Sequence, residues 1–326
     1  MRPLVSIVVP VYNEAENVED LHRQLTAAMT PLGRPYEIIV VDDGSKDATL
    51  ERLRAIEARD SHLKVLALRR NFGQTAAFSA GFDHATGDVV VTSDGDLQND
   101  PADIPRILEK LDEGFDMVCG WRRDRHDPLS KKIPSFFANR LISWATGVKL
   151  NDYGCSLKAI RADVVRNLRL YGEMHRFIPA VASWMGVSIA ELPVNHRPRT
   201  RGTSKYGIGR TLRVVLDLFT VKFLGAYGTR PSHLFGLWGL ILGAAGFGTM
   251  AYLAWLRLFE DTAIGGRPLL LLGAVMFLFG VILIGFGLMA ELLVRIYHES
   301  QGKPTYFVRE IRAAEPAPRE AQLTRH

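Results

Sequence analysis

The sequence predicts an α/β domain built on a mostly parallel sheet, followed by two apolar helices. Two observations predict it. Over the first 120 residues, short apolar runs rich in β-branched residues alternate with longer amphipathic runs. Further on, residues 234–256 and 269–290 carry no Asp, Glu, Lys or Arg at all.

The strand-like runs are 4–11, 36–41, 63–68, 89–92 and 117–119, and the helix-like ones 16–29, 48–58, 75–85 and 104–113. Alternation of this kind builds a parallel sheet covered by helices on both faces, which is why its strands are apolar throughout. Such sheets place ligands at the carboxyl ends of their strands. Beyond residue 120 the pattern loosens. Residues 121–132 form a polar loop with five basic residues against Asp124 and Asp127. A helix over 133–147, an irregular stretch at 151–156 and two further helical segments are expected next. Residues 192–216 hold six Lys or Arg and no acid. Apolar and basic residues alternate over 208–227, which suits a helix lying flat on a membrane over 208–230, the alternative being an ordinary surface helix.

The uncharged stretches of 23 and 22 residues match the roughly 20 needed to cross a bilayer core. A charge near the centre of a span costs about 3 kcal/mol, and Arg257, Glu260, Asp261 and Arg267 all fall between the two spans. The expected organisation is a cytosolic domain over 1–207, an interfacial helix over 208–230, a transmembrane hairpin over 231–298 and a tail over 299–326, disordered towards its end. Basic residues flank the hairpin on its outer sides, which places both termini and the sheet domain in the cytosol of an inner (plasma) membrane. The start Met1-Arg2-Pro3 reads as no cleavable signal. The 326 residues carry a net charge of +5 with pI near 9.2 and mean hydropathy +0.04, which suits phosphate-bearing or membrane partners rather than nucleic acid. With only Cys119 and Cys155, no disulfide framework is implied.

Three acidic motifs close three strand runs. Asp94-Gly95-Asp96 follows 89–92, and two carboxylates one residue apart, with Gln98 in reach, can hold Mg²⁺ or Mn²⁺ beside substrate phosphates. Asp42-Asp43-Gly44-Ser45 follows 36–41; it also suits a helix start, since Asp and Ser cap helices. Pro10-Val11-Tyr12-Asn13-Glu14 ends the first strand with an aromatic face and a carboxylate. Carboxylates gathered at one edge repel unless a cation binds among them.

Together these motifs resemble glycosyltransferases of family 2 with the GT-A fold. Asp152-Tyr153-Gly154-Cys155-Ser156, Met174-His175-Arg176-Phe177-Ile178-Pro179 and Gly202-Thr203-Ser204-Lys205-Tyr206 narrow the likeness to polyprenyl-phosphate glycosyltransferases, and the two C-terminal spans to their bacterial undecaprenyl-phosphate members. The resemblance implies that Pro10, Tyr12, Glu14, Val41 and Asp43 cradle the nucleoside of a nucleotide-sugar donor. It implies that Asp94, Gly95 and Asp96 meet the donor, with Asp94, Asp96 and Gln98 around the metal. Arg199 and Lys205 would close over the diphosphate, while Arg122, Lys132 and Ser135 would meet the phosphate of a polyprenyl phosphate acceptor. A homo-oligomer in the lipid bilayer is expected, with UDP-glucose as first donor and GDP-mannose as the alternative.

The chemistry agrees with these roles. A departing nucleoside diphosphate needs a cation clamp. A phosphate acceptor is already an oxyanion at pH 7, so no general base is required. Asp152 would be the candidate base; it reads first as a positioning residue. A processive polysaccharide synthase is disfavoured, because no tryptophan follows an arginine. A non-catalytic membrane scaffold is disfavoured by the intact acidic and basic motif residues.

Overall fold

The computed structural model describes residues 3–123, 139–140, 142–143, 146–170, 172, 174–198, 218, 220–223, 227, 231–261, 263 and 268–301. The sheet domain alternates β1 (Val5–Val11), α1 (Val18–Met29), β2 (Tyr36–Asp42), α2 (Thr49–Glu57), β3 (Leu63–Ala67), α3 (Gln74–Asp83), β4 (Val89–Thr92), α4 (Ile104–Asp112) and β5 (Met117–Trp121). Then come β6 (Lys158–Arg161), α5 (Ala162–Asn167), α6 (Ile178–Ser183) and β7 (Ile189–Pro193). All nine elements expected before residue 120 form, within about two residues at each end.

Seven strands make one sheet in the order β3-β2-β1-β4-β6-β5-β7. Parallel pairing joins β3 to β2, β2 to β1, β1 to β4 and β5 to β7, while β6 runs antiparallel to both β4 and β5. The sheet is therefore mixed. Sequence periodicity did not announce β6 or β7. Lys158 interrupts the apolar run of the first, and Glu191 and Pro193 make the second resemble a loop.

The sheet's two faces carry two apolar layers. Ile7, Val9, Ile38 and Val40 pack beneath α1 and α4 with Leu21, Leu25, Ile104 and Leu108. On the other face Val8, Ile39 and Val41 meet Phe78 of α3 together with Tyr153 and Phe177. Alternate residues of β1 thus feed opposite layers, as the two-residue pleat requires. Burying each of these side chains contributes about 1.5–3 kcal/mol.

The last two helices, α7 (Pro231–Phe259) and α8 (Pro268–Gln301), are long and apolar enough to cross a bilayer. Both extend beyond the expected 234–256 and 269–290. They pack on each other through glycine. A Cβ on Gly280 would stand 2.5 Å from the Gly243 nitrogen, and one on Gly246 would stand 2.6 Å from the Gly273 carbonyl oxygen. Small residues let helix backbones approach in this way. The small-residue pair Gly239 and Gly243 is thus part of the hairpin's own seam. Large apolar side chains such as Leu240, Trp255, Leu271 and Phe279 face outward. Among charged partners, Ser232 Oγ donates to Glu291 Oε2 at 2.9 Å, tying the open end of the hairpin.

Candidate active site

The ends of β1 and β2 are laced together by side chains. After β1 the chain bends at Asn13, whose φ is 51°. Asn13 N donates to Ser45 Oγ at 2.8 Å, Lys46 N donates to Asn13 Oδ1 at 2.8 Å, and Glu14 N donates to Thr49 Oγ1 at 2.9 Å. Glu14 also accepts from Asn17 Nδ2 at 2.6 Å. Asp42 caps its own turn by accepting from the Ser45 N–H and hydroxyl. These bonds close the turn after β2 and do not cap α2, whose N-cap residue is Ala48.

Asp43 faces the loop that follows β3. Its carboxylate accepts from Phe72 N at 2.7 Å and Gly73 N at 2.9 Å. Burial, with the charge of Asp42, raises its pKa against those two hydrogen bonds. Gly44 sits at φ +68°, and a Cβ there would lie 2.5 Å from the Arg70 carbonyl carbon, so the two loops meet backbone to backbone. Tyr12, Glu14 and Asp43 thereby stand at one edge. Val41 does not join them. It has no exposed surface and packs in the layer with Ile39 and Phe78.

The turn after β4 carries the paired carboxylates. Asp94 Oδ1 accepts from Gln74 Nε2 at 2.7 Å, and Asp96 Oδ1 accepts from Gln98 N at 3.2 Å. Leu97, at φ 59°, makes the turn sharp. Gly95 lies against β1, where a Cβ would stand 2.6 Å from Val11 Cγ1. That close approach joins the first and third motifs at one strand edge. Burial and the neighbouring Asp96 charge raise the pKa of Asp94, against a Ser156 hydrogen bond and the charges of Arg122 and Lys158. Among the described residues no group of three or more His, Cys, Asp or Glu gathers for a metal. Two carboxylates and the Gln98 amide are an all-oxygen set that suits a hard divalent ion sharing its other ligands with phosphate and water.

The fourth wall is Arg122, just past β5, with the segment before β6. Arg122 Nε donates to Asp152 Oδ2 at 2.7 Å and Nη2 to Asp152 Oδ1 at 2.9 Å. Burial opposes the charge of Arg122, yet Asp152 and the nearby Asp94 raise its pKa. Gly154 leaves the guanidinium its space, since a Cβ there would meet Nη2 at 3.0 Å. Tyr153 donates its hydroxyl to Val148 O at 2.6 Å and anchors the turn in the core. Ser156 Oγ accepts from Asn99 Nδ2 at 2.6 Å, and its carbonyl accepts from Thr92 Oγ1 at 2.5 Å. Lys158, buried on β6 opposite Thr92, donates to the Cys155 carbonyl. Burial pushes the Cys155 thiol up to about 11, which leaves it inert at neutral pH. His175 is buried and paired with Thr75 Oγ1 at 2.7 Å through Nδ1.

The fold thus brings Pro10, Tyr12, Glu14, Asp43, Asp94, Gly95, Asp96, Gln98 and Arg122 to one edge. Lys132, Ser135, Arg199 and Lys205 lie outside the described residues. Gln74, Ser156 and Lys158 were missed by sequence reasoning. Ser156 lay within the motif 152–156 without a role of its own, and Lys158 left a signal as a charge inside the apolar run 157–160.

Residues 6–169 match the family described as Glycosyl transferase family 2. The chain is 46% identical over 312 residues to a dodecaprenyl-phosphate galacturonate synthase of Rhizobium johnstonii, covering 94% of this chain and 92% of that protein. The chain belongs to glycosyltransferase family 2. It is also 40% identical over 316 residues to an undecaprenyl-phosphate 4-deoxy-4-formamido-L-arabinose transferase of Salmonella enteritidis, covering 96% of this chain and 95% of that one. Among solved structures, the glucosyl-3-phosphoglycerate synthase of Mycobacterium tuberculosis, in complex with Mn²⁺, UDP and phosphoglyceric acid, superposes with a TM-score of 0.53. That match has 19% identity and covers 68% of this chain and 78% of that chain. At that identity the match speaks for the fold alone, which is GT-A: a Rossmann-like, mostly parallel sheet. The chain is a glycosyltransferase, and its paired Asp94 and Asp96 sit at the strand edge where this fold puts its ligands.

Proposed function

We propose that this family 2 glycosyltransferase moves a sugar from a UDP-linked donor to the phosphate of a membrane polyprenyl phosphate, inverting the anomeric configuration. The observation that carries the reading is the Arg122–Asp152 pair beside Asp94. A largely buried guanidinium stands at the same edge as the acidic turn. The names of the relatives support the acceptor class, since both act on polyprenyl phosphates.

Tyr12, Glu14 and Asp43 would receive the nucleoside, with Asp43 also holding the β3–α3 loop as their wall. Asp94, Asp96 and Gln98 would hold Mg²⁺ or Mn²⁺, which supplies Lewis-acid stabilisation of the diphosphate's developing charge. Arg199 and Lys205 would neutralise the same diphosphate, and Arg122, Lys132 and Ser135 would orient the acceptor phosphate. A phosphate oxygen attacks the anomeric carbon as the bond to the diphosphate breaks, and UDP leaves with the electron pair. The acceptor's second pKa near 6 makes it an oxyanion at pH 7, so no side chain need take a proton. Asp152 is committed to Arg122 by both oxygens, which supports a positioning role over that of a base.

The donor sugar expected from the sequence was glucose. The relatives' names favour a uronic acid or a 4-amino-4-deoxypentose derivative, so UDP-galacturonate is the donor to test first. The two apolar helices support an inner-membrane hairpin with the GT-A domain and both termini in the cytosol. Reporter fusions at Gly266 and Arg312 should then report opposite compartments. The deciding experiment incubates membranes containing the protein with a panel of labelled UDP-sugars and undecaprenyl phosphate. Label in the extracted lipid, dependent on the phosphate, supports the reading. Label on unphosphorylated polyprenol overturns it.

A further inference from the structure

The strand β7 supplies a carboxylate that no sequence motif singled out. Glu191 Oε1 accepts from Asn151 N at 2.9 Å and from Asp152 N at 2.9 Å, while Oε2 accepts from Asn151 Nδ2 at 2.6 Å. Three N–H groups on one carboxylate, one of them a side-chain amide, fix both position and rotation of the 151–152 peptide. Asp152 spends its own two oxygens on Arg122, and Oδ2 also accepts the Arg122 backbone N–H at 3.3 Å. The strands explain why the chain of contacts is rigid. Glu191 pairs in register with Cys119 of β5, and Arg122 follows directly after that strand. Glu191, Asp152 and Arg122 are therefore three links running from the sheet to the site.

We propose that Glu191 is a positioning residue for the acceptor phosphate, aiming the Arg122 guanidinium by clamping Asn151 and Asp152 to β7. The inference rests on the reading of Arg122 as a phosphate contact. The competing account is that Glu191 only fastens a loop to the sheet edge. The two differ in coupling: a fastener weakens the protein whatever occupies position 122, whereas a positioning residue acts only while Arg122 is present. Contacting residues in one network give non-additive effects, which makes the difference measurable.

The test uses the full chain in detergent and binding of a short-chain polyprenyl phosphate, so that no donor need be known. Glu191→Gln keeps the shape of the side chain but replaces one of its two accepting oxygens with an amide nitrogen, which donates and cannot accept. It should weaken phosphate binding about tenfold in the wild-type background and by less than about twofold in the Arg122→Ala background. UDP binding in the presence of Mn²⁺ should stay unchanged in Glu191→Gln, and the thermal midpoint confirms the fold. Equal losses in the two backgrounds, or no loss in the first while Arg122→Ala itself weakens binding, overturn the positioning role of Glu191. If Arg122→Ala leaves phosphate binding intact, the acceptor reading of Arg122 fails instead, and the inference falls with it.

Discussion

Arg122 and Asp152 meet in two parallel hydrogen bonds, Nε to Oδ2 at 2.7 Å and Nη2 to Oδ1 at 2.9 Å, with their side chains only 14% and 3% exposed. Planar guanidinium against planar carboxylate is the strongest geometry open to an ion pair. It supports one of two accounts of Asp152. A carboxylate occupied twice by one guanidinium is poorly placed to take a proton from an acceptor, and well placed to orient that guanidinium.

Asp152→Asn tests this directly. Breaking one side of a buried pair typically costs about 3–5 kcal/mol, because the remaining charge loses its partner. The variant should raise the KM for polyprenyl phosphate by about tenfold or more while the shape of the pH–rate profile stays that of the wild type. Steady-state rates above about pH 7, where the acceptor is already ionised, provide the measurement. Complete loss of turnover across that range, with the fold intact, would instead assign Asp152 the base role.

The paired carboxylates should govern donor chemistry rather than folding. Asp96 is half-buried at a turn, where its carboxylate accepts from the Gln98 backbone N–H. Asp96→Ala should lower turnover by more than about a hundredfold, as expected for loss of about 3 kcal/mol of charge stabilisation. Thermal stability should change little. Mn²⁺-dependent binding of UDP, measured by calorimetry, should fall in parallel with turnover.

In the hairpin, the seam at Gly280 leaves no room for a side chain, since a Cβ would stand 2.5 Å from Gly243 N and 2.6 Å from Gly239 O. Gly280→Leu should separate α7 from α8 and destabilise the detergent-solubilised protein by about 1–3 kcal/mol, the usual cost of overpacking. Gly285 has nothing within 4 Å of a built Cβ, and Gly285→Leu is the control that should be tolerated. Thermal midpoints of the two variants provide the comparison.

Acid sensitivity should have one identifiable contributor in the sheet domain. Burial opposes ionisation of Asp60, but hydrogen bonds from His62 and His22 hold its carboxyl down at about 2, from an ordinary 3.8. Because the folded pKa lies below the unfolded one, the stabilisation is complete above about pH 4 and is lost as pH falls through 2. Allowing for solvent screening, it amounts to about 1 kcal/mol. Asp60→Asn should lower the thermal midpoint at neutral pH, and the gap from wild type should narrow as the pH is taken below about 4.

What was legible in the sequence were features set locally. The strands ending at Val11, Asp42 and Thr92 could be read from runs of Val and Ile, because a strand buried on both faces needs apolar residues throughout. Their acidic ends marked the functional edge, and absence of charge marked the two apolar helices. Tertiary structure alone decided the rest. The short strands Lys158–Arg161 and Ile189–Pro193 are held by neighbours 39 to 72 residues away in the chain, so their own residues carry no clear period. Those two strands deliver Lys158 to the Cys155 carbonyl and Glu191 to the Asn151–Asp152 peptide beside Arg122. The pairing of Arg122 with Asp152 likewise spans 30 residues. Val41, at the end of β2, packs its side chain in the core layer with Ile39 and Phe78, while the residues after Asp42 emerge at the edge. Motif spacing names the residues that gather at a strand end; the register of the sheet decides which of them face the ligand and which hold the others in place.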